Sequence, residues 1–399
     1  MVFLKKIKVL TAVCILLLIT VIGCTNQPPH IVKNSPSPSP KKPEPVIIEV
    51  AAVGDFLMHM PVIYAAWNSN TGNYDFASQL TDVKDYLTSP DLTIANLETR
   101  LAGKENGGFT GYPKFNCPEQ LAFDLKKVGV DVVTTANNHS LDRGFKGLVK
   151  TLEHLERAGL KPVGNYKTAE ARKPLMVDVR GIKIGILNYT ETTNGIPIPK
   201  GKEFAVNMIN IDNIAADIEQ LQKQNADIII AYLHFGMEYQ RYPSKQQKEL
   251  VNQLFNLGVD IIFGDHAHVI QPMEKQRVMY NGKEKETFVI YSLGNFISNQ
   301  RWRYSDSGVI VNVQLEKDWE KNITRIKKID YIPTWVHVYW AEGRKKYRVV
   351  PVEKAISDYE QQLDSTISAG DYSRLKQVWQ ETTLHLTKEE QNIYPRAVQ

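Results

Sequence analysis

The chain has 399 residues, 43% hydrophobic and 23% charged, with a formal net charge of +4. That is the balance of a soluble globular protein, with length for one large domain or two smaller ones. Lys5, Lys6 and Lys8 supply three of the positive charges in a leader without acids, so the near-neutral remainder carries no electrostatic footprint for nucleic acid.

The leader reads as a secretion signal. Its lysines form a basic n-region, and residues 9–22 form an apolar stretch too short for a membrane-spanning helix. It closes on Val21-Ile22-Gly23-Cys24, a small residue directly before Cys, which resembles the bacterial lipobox. By that resemblance residues 1–24 are a lipoprotein signal, and Cys24 is lipidated and anchors the mature chain in the membrane. An uncleaved anchor is the alternative, and both place the body outside the cytoplasmic membrane. Residues 25–45 are rich in Pro, Ser and Lys and read as an extended, semi-rigid tether. With Cys24 acylated, Cys117 is alone in the body and no intrachain disulfide is expected.

The body is expected over residues 46–399. Residues 46–53 read as a strand and 76–87 as a helix. A strand at 92–95 leads through a glycine-rich loop at 103–111 to a helix at 118–127. A strand at 130–136 precedes a helix at 144–158, and strands at 175–179 and 183–188 form a hairpin. Helices at 211–224 and 244–257 precede strands at 226–233 and 259–263. Residues 276–280 and 287–291 flank Asn281-Gly282, a hairpin turn. Strands at 309–315, 324–331 and 347–350 follow, and 356–386 is mostly helical. Alternating βα units followed by an antiparallel run predict an α/β fold of two packed sheets with helices outside.

Chemistry-bearing residues stand where these strands end, and strand ends in α/β folds converge on one crevice. Asp55 follows Gly54, which permits a tight turn off the first strand; a turn or helix cap is the plainer role for the pair. Glu98 closes the second strand region, and its two oxygens could bridge two cations. Asn137-Asn138-His139 is unusual, because Asn is a poor strand residue. Asn138 could cap a helix or ligate a metal, and His139 could serve as a general acid. Asp142 could orient His139 or cap the next helix. His234 ends an apolar run, and His266-Ala267-His268 would, if extended, put both rings on one side. Asp55, Glu98, Asn138, His234, His266 and His268 are therefore six candidate metal ligands. Their mixed nitrogen and oxygen donors suit Mn, Fe or Zn, and two divalent ions sharing a carboxylate can activate water for an in-line displacement.

These residues carry a resemblance. Gly54-Asp55, Asn96-Leu97-Glu98, Asn137-Asn138-His139 with Asp142 and Gly144, His234-Phe235-Gly236-Met237-Glu238-Tyr239, His266-Ala267-His268-Val269 with Gln271-Pro272, and Tyr291-Ser292-Leu293-Gly294-Asn295-Phe296 occur in order over residues 46–296. The series resembles CapA-type proteins, the capsule-synthesis (poly-γ-glutamate biosynthesis) family within the calcineurin-like metallophosphoesterase superfamily. The resemblance implies a four-layer αββα sandwich of two mixed sheets, followed here by a C-terminal helical extension. It implies one metal on Asp55, Glu98 and His268 and another on Glu98, Asn138, His234 and His266, with His139 as acid. Asn295 would offer its amide to substrate, and Tyr239, Arg143 and Arg241 would lie near it. Leu57 stands where the superfamily usually has His, with His59 two residues on; that departure bears on the first metal position.

Two functions follow. One is a surface-anchored, metal-dependent hydrolase of phosphoester or related bonds in capsule or envelope polymer metabolism. The other is a non-catalytic accessory protein beside a membrane polymer synthase, with Arg143, Arg241, Arg301 and Arg303 meeting an anionic polymer.

Overall fold

The computed structural model describes residues 44–397. The expectations for the signal, Cys24 and nearly all of the tether fall outside them.

The chain first lays down one sheet. β1 (Val46–Phe56), β4 (Leu92–Asn96), β5 (Val132–Thr134) and β6 (Lys161–Val163) pair in parallel in that order. Between them come α1 (Met60–Ala66), a small hairpin of β2 (Trp67–Asn68) and β3 (Asn73–Tyr74), a 3-10 turn at Ala77–Val83 running into α2 (Lys84–Thr88), α3 (Gln120–Lys127) and α4 (Gly144–Arg157). A second sheet follows. β7 (Leu175–Val179) and β8 (Ile182–Thr190) form the expected hairpin, α5 (Ile211–Lys223) leads to β9 (Ile228–His234), and α6 (Lys245–Leu257) leads to β10 (Ile261–Asp265). Ser244 starts α6 with a reciprocal capping box to Gln247, which satisfies two otherwise orphaned amides.

The antiparallel tail divides between the sheets. β11 (Met273–Tyr280) and β12 (Lys283–Ile290), joined at Asn281-Gly282, complete the second sheet in the order β11-β12-β10-β9-β8-β7. The chain then crosses back. β13 (Asn295–Ile297) pairs in parallel with β1, and β14 (Ser307–Asp318), β15 (Ile323–Ala341) and β16 (Arg344–Pro351) extend the first sheet on its other side. Both sheets are mixed. The C-terminal stretch expected to be mostly helical forms two helices, α7 (Val352–Glu360) and α8 (Ala369–Leu386). Gln362 turns to a positive φ of 58°, and a capping box between Ser368 and Asp371 starts α8 afresh. β17 (Ile393–Pro395) joins β15.

Strand alternation builds four layers. Ile48, Val50, Ala52 and Ile94 face the second sheet, where Ile184, Ile186, Ile230 and Phe263 meet them. Their neighbours Ala51, Val53 and Ala95 face outward onto Val62, Leu121 and Leu125 of the helices. On the far sheet Leu187, Ala231, Leu233 and Ile262 turn to Ile218, Leu221, Val251 and Phe255. One strand therefore feeds two cores through its period of two, and each fully buried large side chain contributes about 2 kcal/mol. The order is helix, sheet, sheet, helix: a four-layer αββα sandwich.

The segment from Tyr291 to Asn295 joins the two sheets at one end. Leu293 donates its amide to Gly264 of β10 at 3.0 Å, and Gly294 accepts the amide of Asp55 from β1 at 3.2 Å. The approach leaves no room for side chains. A Cβ on Gly54 would sit 1.8 Å from the Gly294 oxygen, and one on Gly264 would sit 2.1 Å from the Tyr291 oxygen. Gly54 thus serves close packing and not a turn, because β1 continues through it to Phe56. Gly54→Ala is expected to cost about 3 kcal/mol of folding stability, read as a lower urea midpoint than wild type. An unchanged midpoint would mean that this junction yields freely.

Candidate metal centre

Parallel pairing brings four strand ends to one rim. Asp55 of β1 lies in register with Asn96 of β4, and His234 of β9 with Asp265 of β10. The loops beyond add Glu98, Asn138, His139, His266 and His268, all buried.

Glu98, His234 and His266 offer ligand atoms within 4.8 Å of one another, and so do Asp55, Glu98 and His268. Glu98 belongs to both groups. His234 Nε2 lies 3.0 Å from Asn138 Oδ1, 3.1 Å from His266 Nδ1 and 3.4 Å from Glu98 Oε1. His268 Nδ1 lies 3.0 Å from Asp55 Oδ2 and 3.8 Å from Glu98 Oε2. All six residues singled out as ligands in the sequence are therefore gathered here.

The electrostatics suit a cation. Burial and the neighbouring His266 hold His234 well below the usual imidazole range, and burial with His268 brings His266 down to about 4. Both rings are neutral at physiological pH, the form that ligates. Burial raises Asp55, but the hydrogen bond and charge of His268 outweigh it and hold the carboxyl well below its ordinary value. Burial, then the Asp55 charge, push Glu98 well above its own. Both Glu98 oxygens are buried without a hydrogen-bond donor. A carboxyl without donors beside the neutral rings of His234 and His266 is costly to bury by itself, and the donor set around it fits divalent metal ions.

Side chains behind the rim hold it. Asn96 Nδ2 donates to Asp55 Oδ1 at 2.6 Å, while Asn96 Oδ1 accepts from Thr134 Oγ1 and from Asn137 Nδ2. Arg100, fully buried and brought down to about 10 by burial, donates to the Leu97 carbonyl and to Asn137 Oδ1. Tyr232 reaches between the sheets. Its hydroxyl lies 3.0 Å from the Val53 carbonyl and 2.9 Å from Asp265 Oδ2. One hydroxyl hydrogen cannot serve two acceptors. The Val53 carbonyl and Asp265 Oδ2 are therefore alternative acceptors for the Tyr232 hydroxyl, and burial with the Asp55 charge raises Asp265 well above its ordinary value. The sequence reading missed Asn96, Arg100 and Tyr232 as supports. Each stands two residues from a ligand, Asn96 and Arg100 on either side of Glu98 and Tyr232 before His234, and that spacing is the signal that could have found them.

His139 is oriented as a proton donor would be. Its Nδ1 lies 2.8 Å from Asp142 Oδ2, and Nε2 lies 4.0 Å from Glu98 Oε1. The Phe115 ring meets it edge-on at 4.7 Å. Asp142 Oδ2 also accepts the Phe115 amide at 2.7 Å, so Asp142 orients His139. It caps no helix: α4 begins after Arg143 without a side-chain cap.

Other expectations are corrected. His266 and His268 do not alternate along an extended segment. Their φ values are 95° and 56°, and this left-handed backbone folds the rings toward separate groups of ligands. Asn295 does not offer its amide outward, since Nδ2 faces the carbonyls of His268 and Ser305 and Gln300 Oε1. Arg143 turns away to Thr110 and the Lys114 carbonyl. Arg241 covers the Tyr304 ring at 4.0 Å and donates to the Glu381 carbonyl. Each has a nearer partner that sequence spacing could not reveal. Tyr239 does reach the site. It lines a cavity of about 600 Å³ beside the centre, with Leu57, His59, His139, His268 and Arg301. His59 lies against the Asn299 amide and belongs to neither ligand group.

Residues 49–300 match the family model described as bacterial capsule synthesis protein PGA_cap. The chain belongs to that family. Every residue of the centre lies within the match. The chain is similar, at 33% identity over 202 residues, to the PGA biosynthesis protein CapA of Bacillus subtilis, covering 49% of each. It is 28% identical over 242 residues to the capsule biosynthesis protein CapA of Bacillus anthracis, covering 58% of this chain and 56% of that one. It thus spans about half the length of the curated relatives it matches. Among solved structures, the calcineurin-like phosphoesterase YfkN from Bacillus subtilis aligns at 14% identity with a TM-score of 0.43, covering 85% of this chain and 98% of that one.

Glu98→Gln separates the shared carboxylate from its packing. After chelation the variant is expected to melt near wild type, because an amide of the same shape replaces a carboxyl whose charged form burial already disfavours. Added Mn or Zn should then raise the melting temperature of wild type and not of the variant. An equal metal response in both would exclude Glu98 as a ligand.

Proposed function

We propose that this PGA_cap family member is a metal-dependent hydrolase of phosphoester or related bonds in capsule or envelope polymer biosynthesis. The observation that carries this reading is the donorless Glu98 carboxylate shared by two ligand groups, with His139 on the wall of the adjoining cavity. Two divalent ions (Mn, Fe or Zn), one on Asp55, Glu98 and His268 and one on Glu98, Asn138, His234 and His266, would supply a water nucleophile at neutral pH and charge to balance the transferring group. The chain itself does the rest. Asp142 keeps the His139 Nδ1 proton in place, which leaves Nε2 to carry the proton for the leaving oxygen. Phe115 closes one side of that ring and limits water there. Asn96 and His268 fix one oxygen each of Asp55.

A second reading has one observation in its favour. Leu57, buried at the cavity wall, stands where the resemblance expects a ligating His. A protein weakened at that position would serve as an accessory beside a membrane polymer synthase, binding an anionic polymer. Of the four arginines Arg143, Arg241, Arg301 and Arg303, Arg301 lines the cavity, with Nη1 donating to the Val336 carbonyl.

For either reading we propose that residues 1–24 are a lipoprotein signal and that Cys24 carries the lipid that holds the body at the outer face of the membrane.

His139→Ala is expected to lower turnover of a phosphodiester substrate by about 10²–10⁴-fold while metal content stays that of wild type. Retained turnover would remove His139 from the chemistry. In palmitate-fed cells the wild-type chain should take label and Cys24→Ser should not; an unlabelled wild type would refute lipidation.

A further inference from the structure

Beside the metal centre, large aromatic side chains stand in water where the fold does not need them. Tyr112 is 77% exposed, Trp302 62% and Tyr239 42%, and all three line the same cavity as His139 and His268. They come from two sides. Tyr112 sits on the loop beside His59 and Phe115, where Gly111 packs so closely that a Cβ would lie 2.7 Å from the Met60 amide nitrogen. Arg143 pins the flanks of this loop through Thr110 and the Lys114 carbonyl. Tyr239 and Trp302 form a corner on the His268 side. Their rings meet edge to face at 6.5 Å, and Tyr239 lies 6.0 Å from the His268 ring.

The corner is held in place. Gln300 donates to the Tyr239 hydroxyl at 3.1 Å and accepts from Asn295, whose amide also reaches the His268 carbonyl. The loop bearing Trp302 is tied to α8, because the Asp306 carboxylate accepts from Arg374 and from the Trp335 indole. Rigid aromatic faces exposed beside a reactive centre bind flat or cyclic groups at low entropic cost.

We infer that the substrate carries a ring, a nucleobase or a sugar, on the part that leaves the metal centre, seated between Tyr112 and the Tyr239–Trp302 corner. This rests on the hydrolase reading for the placement of the reacting group, and on the aromatic walls alone for the ring. Arg301 lines the same cavity, with Nη1 donating to the Val336 carbonyl and its plane over the Tyr347 ring.

The test is equilibrium binding on the full chain loaded with Mn²⁺, in a His139→Gln background so that no probe is consumed. The probes are adenosine 5′-monophosphate, N-acetylglucosamine 1-phosphate and glycerol 1-phosphate. At least one ring probe should bind about tenfold more tightly than glycerol 1-phosphate, and which one does so distinguishes nucleoside from sugar. Trp302→Ala and Tyr112→Ala should each bring that ratio toward one without changing metal content. Equal binding of all three probes, or a preference that survives both variants, overturns the inference. Ring preference without turnover by the native protein keeps the inference and removes the hydrolase reading; turnover without ring preference does the reverse.

Discussion

A site built from two sheets depends on holding their ends in fixed relation, and here the stretch from Tyr291 to Asn295 does so. It leaves the second sheet, bonds to Gly264 and Asp55 in passing, and enters the first sheet as β13. Gly54 and Gly264 are glycine because backbone oxygens of this stretch occupy the space of a side chain. Tyr232 adds a second tie, from β9 to the Val53 carbonyl. With β1 and β10 locked in this way, Asp55 meets His268 and Glu98 meets His234 across the seam. Neither sheet by itself contains a complete group of ligands.

The hydrolytic reading gains from how little freedom the centre has. Each Asp55 oxygen has one partner, Asn137 is held by Arg100, and His139 is fixed at Nδ1. Such preorganisation is what a reactive centre needs and what a plain binding surface does not. The accessory reading draws on Leu57. An apolar residue there leaves the Asp55 side of the centre with fewer donors than the His234 side, so the two positions would not hold ions equally well.

Much of this was legible in the chain because the ligands are local to strand ends. An apolar run followed by Asp, Glu, Asn-Asn-His or His-Ala-His marks both the strand and what it presents, and the rim followed from parallel topology. What stayed hidden depends on partners far away in sequence. Nothing near Gly54 announces the Gly294 oxygen. Asn295 reads as a free amide until the His268 carbonyl is placed beside it, and Arg143 and Arg241 read as site residues until Thr110 and Tyr304 take them. The His-Ala-His geometry was misjudged because a period of two holds only for extended backbone, and both histidines are left-handed. The division of the C-terminal strands between the sheets follows from the crossing at Leu293, which no local pattern encodes. One of the three residues of the aromatic wall was visible, since Tyr239 sits in a motif and Tyr112 and Trp302 do not.

Under the metal reading, the unpartnered Glu98 carboxyl would also govern how long a newly made molecule lasts. Without an ion the folded chain keeps an uncompensated group at its seam, so its opening equilibrium lies nearer the unfolded side. Proteases sample that open state continually. If the proposed ions bind, copies that acquire one early would outlive those that do not, and the standing number of molecules would follow the supply of the element as well as the rate of synthesis. A shortage would then show first as fewer molecules, before any loss of efficiency in those that remain.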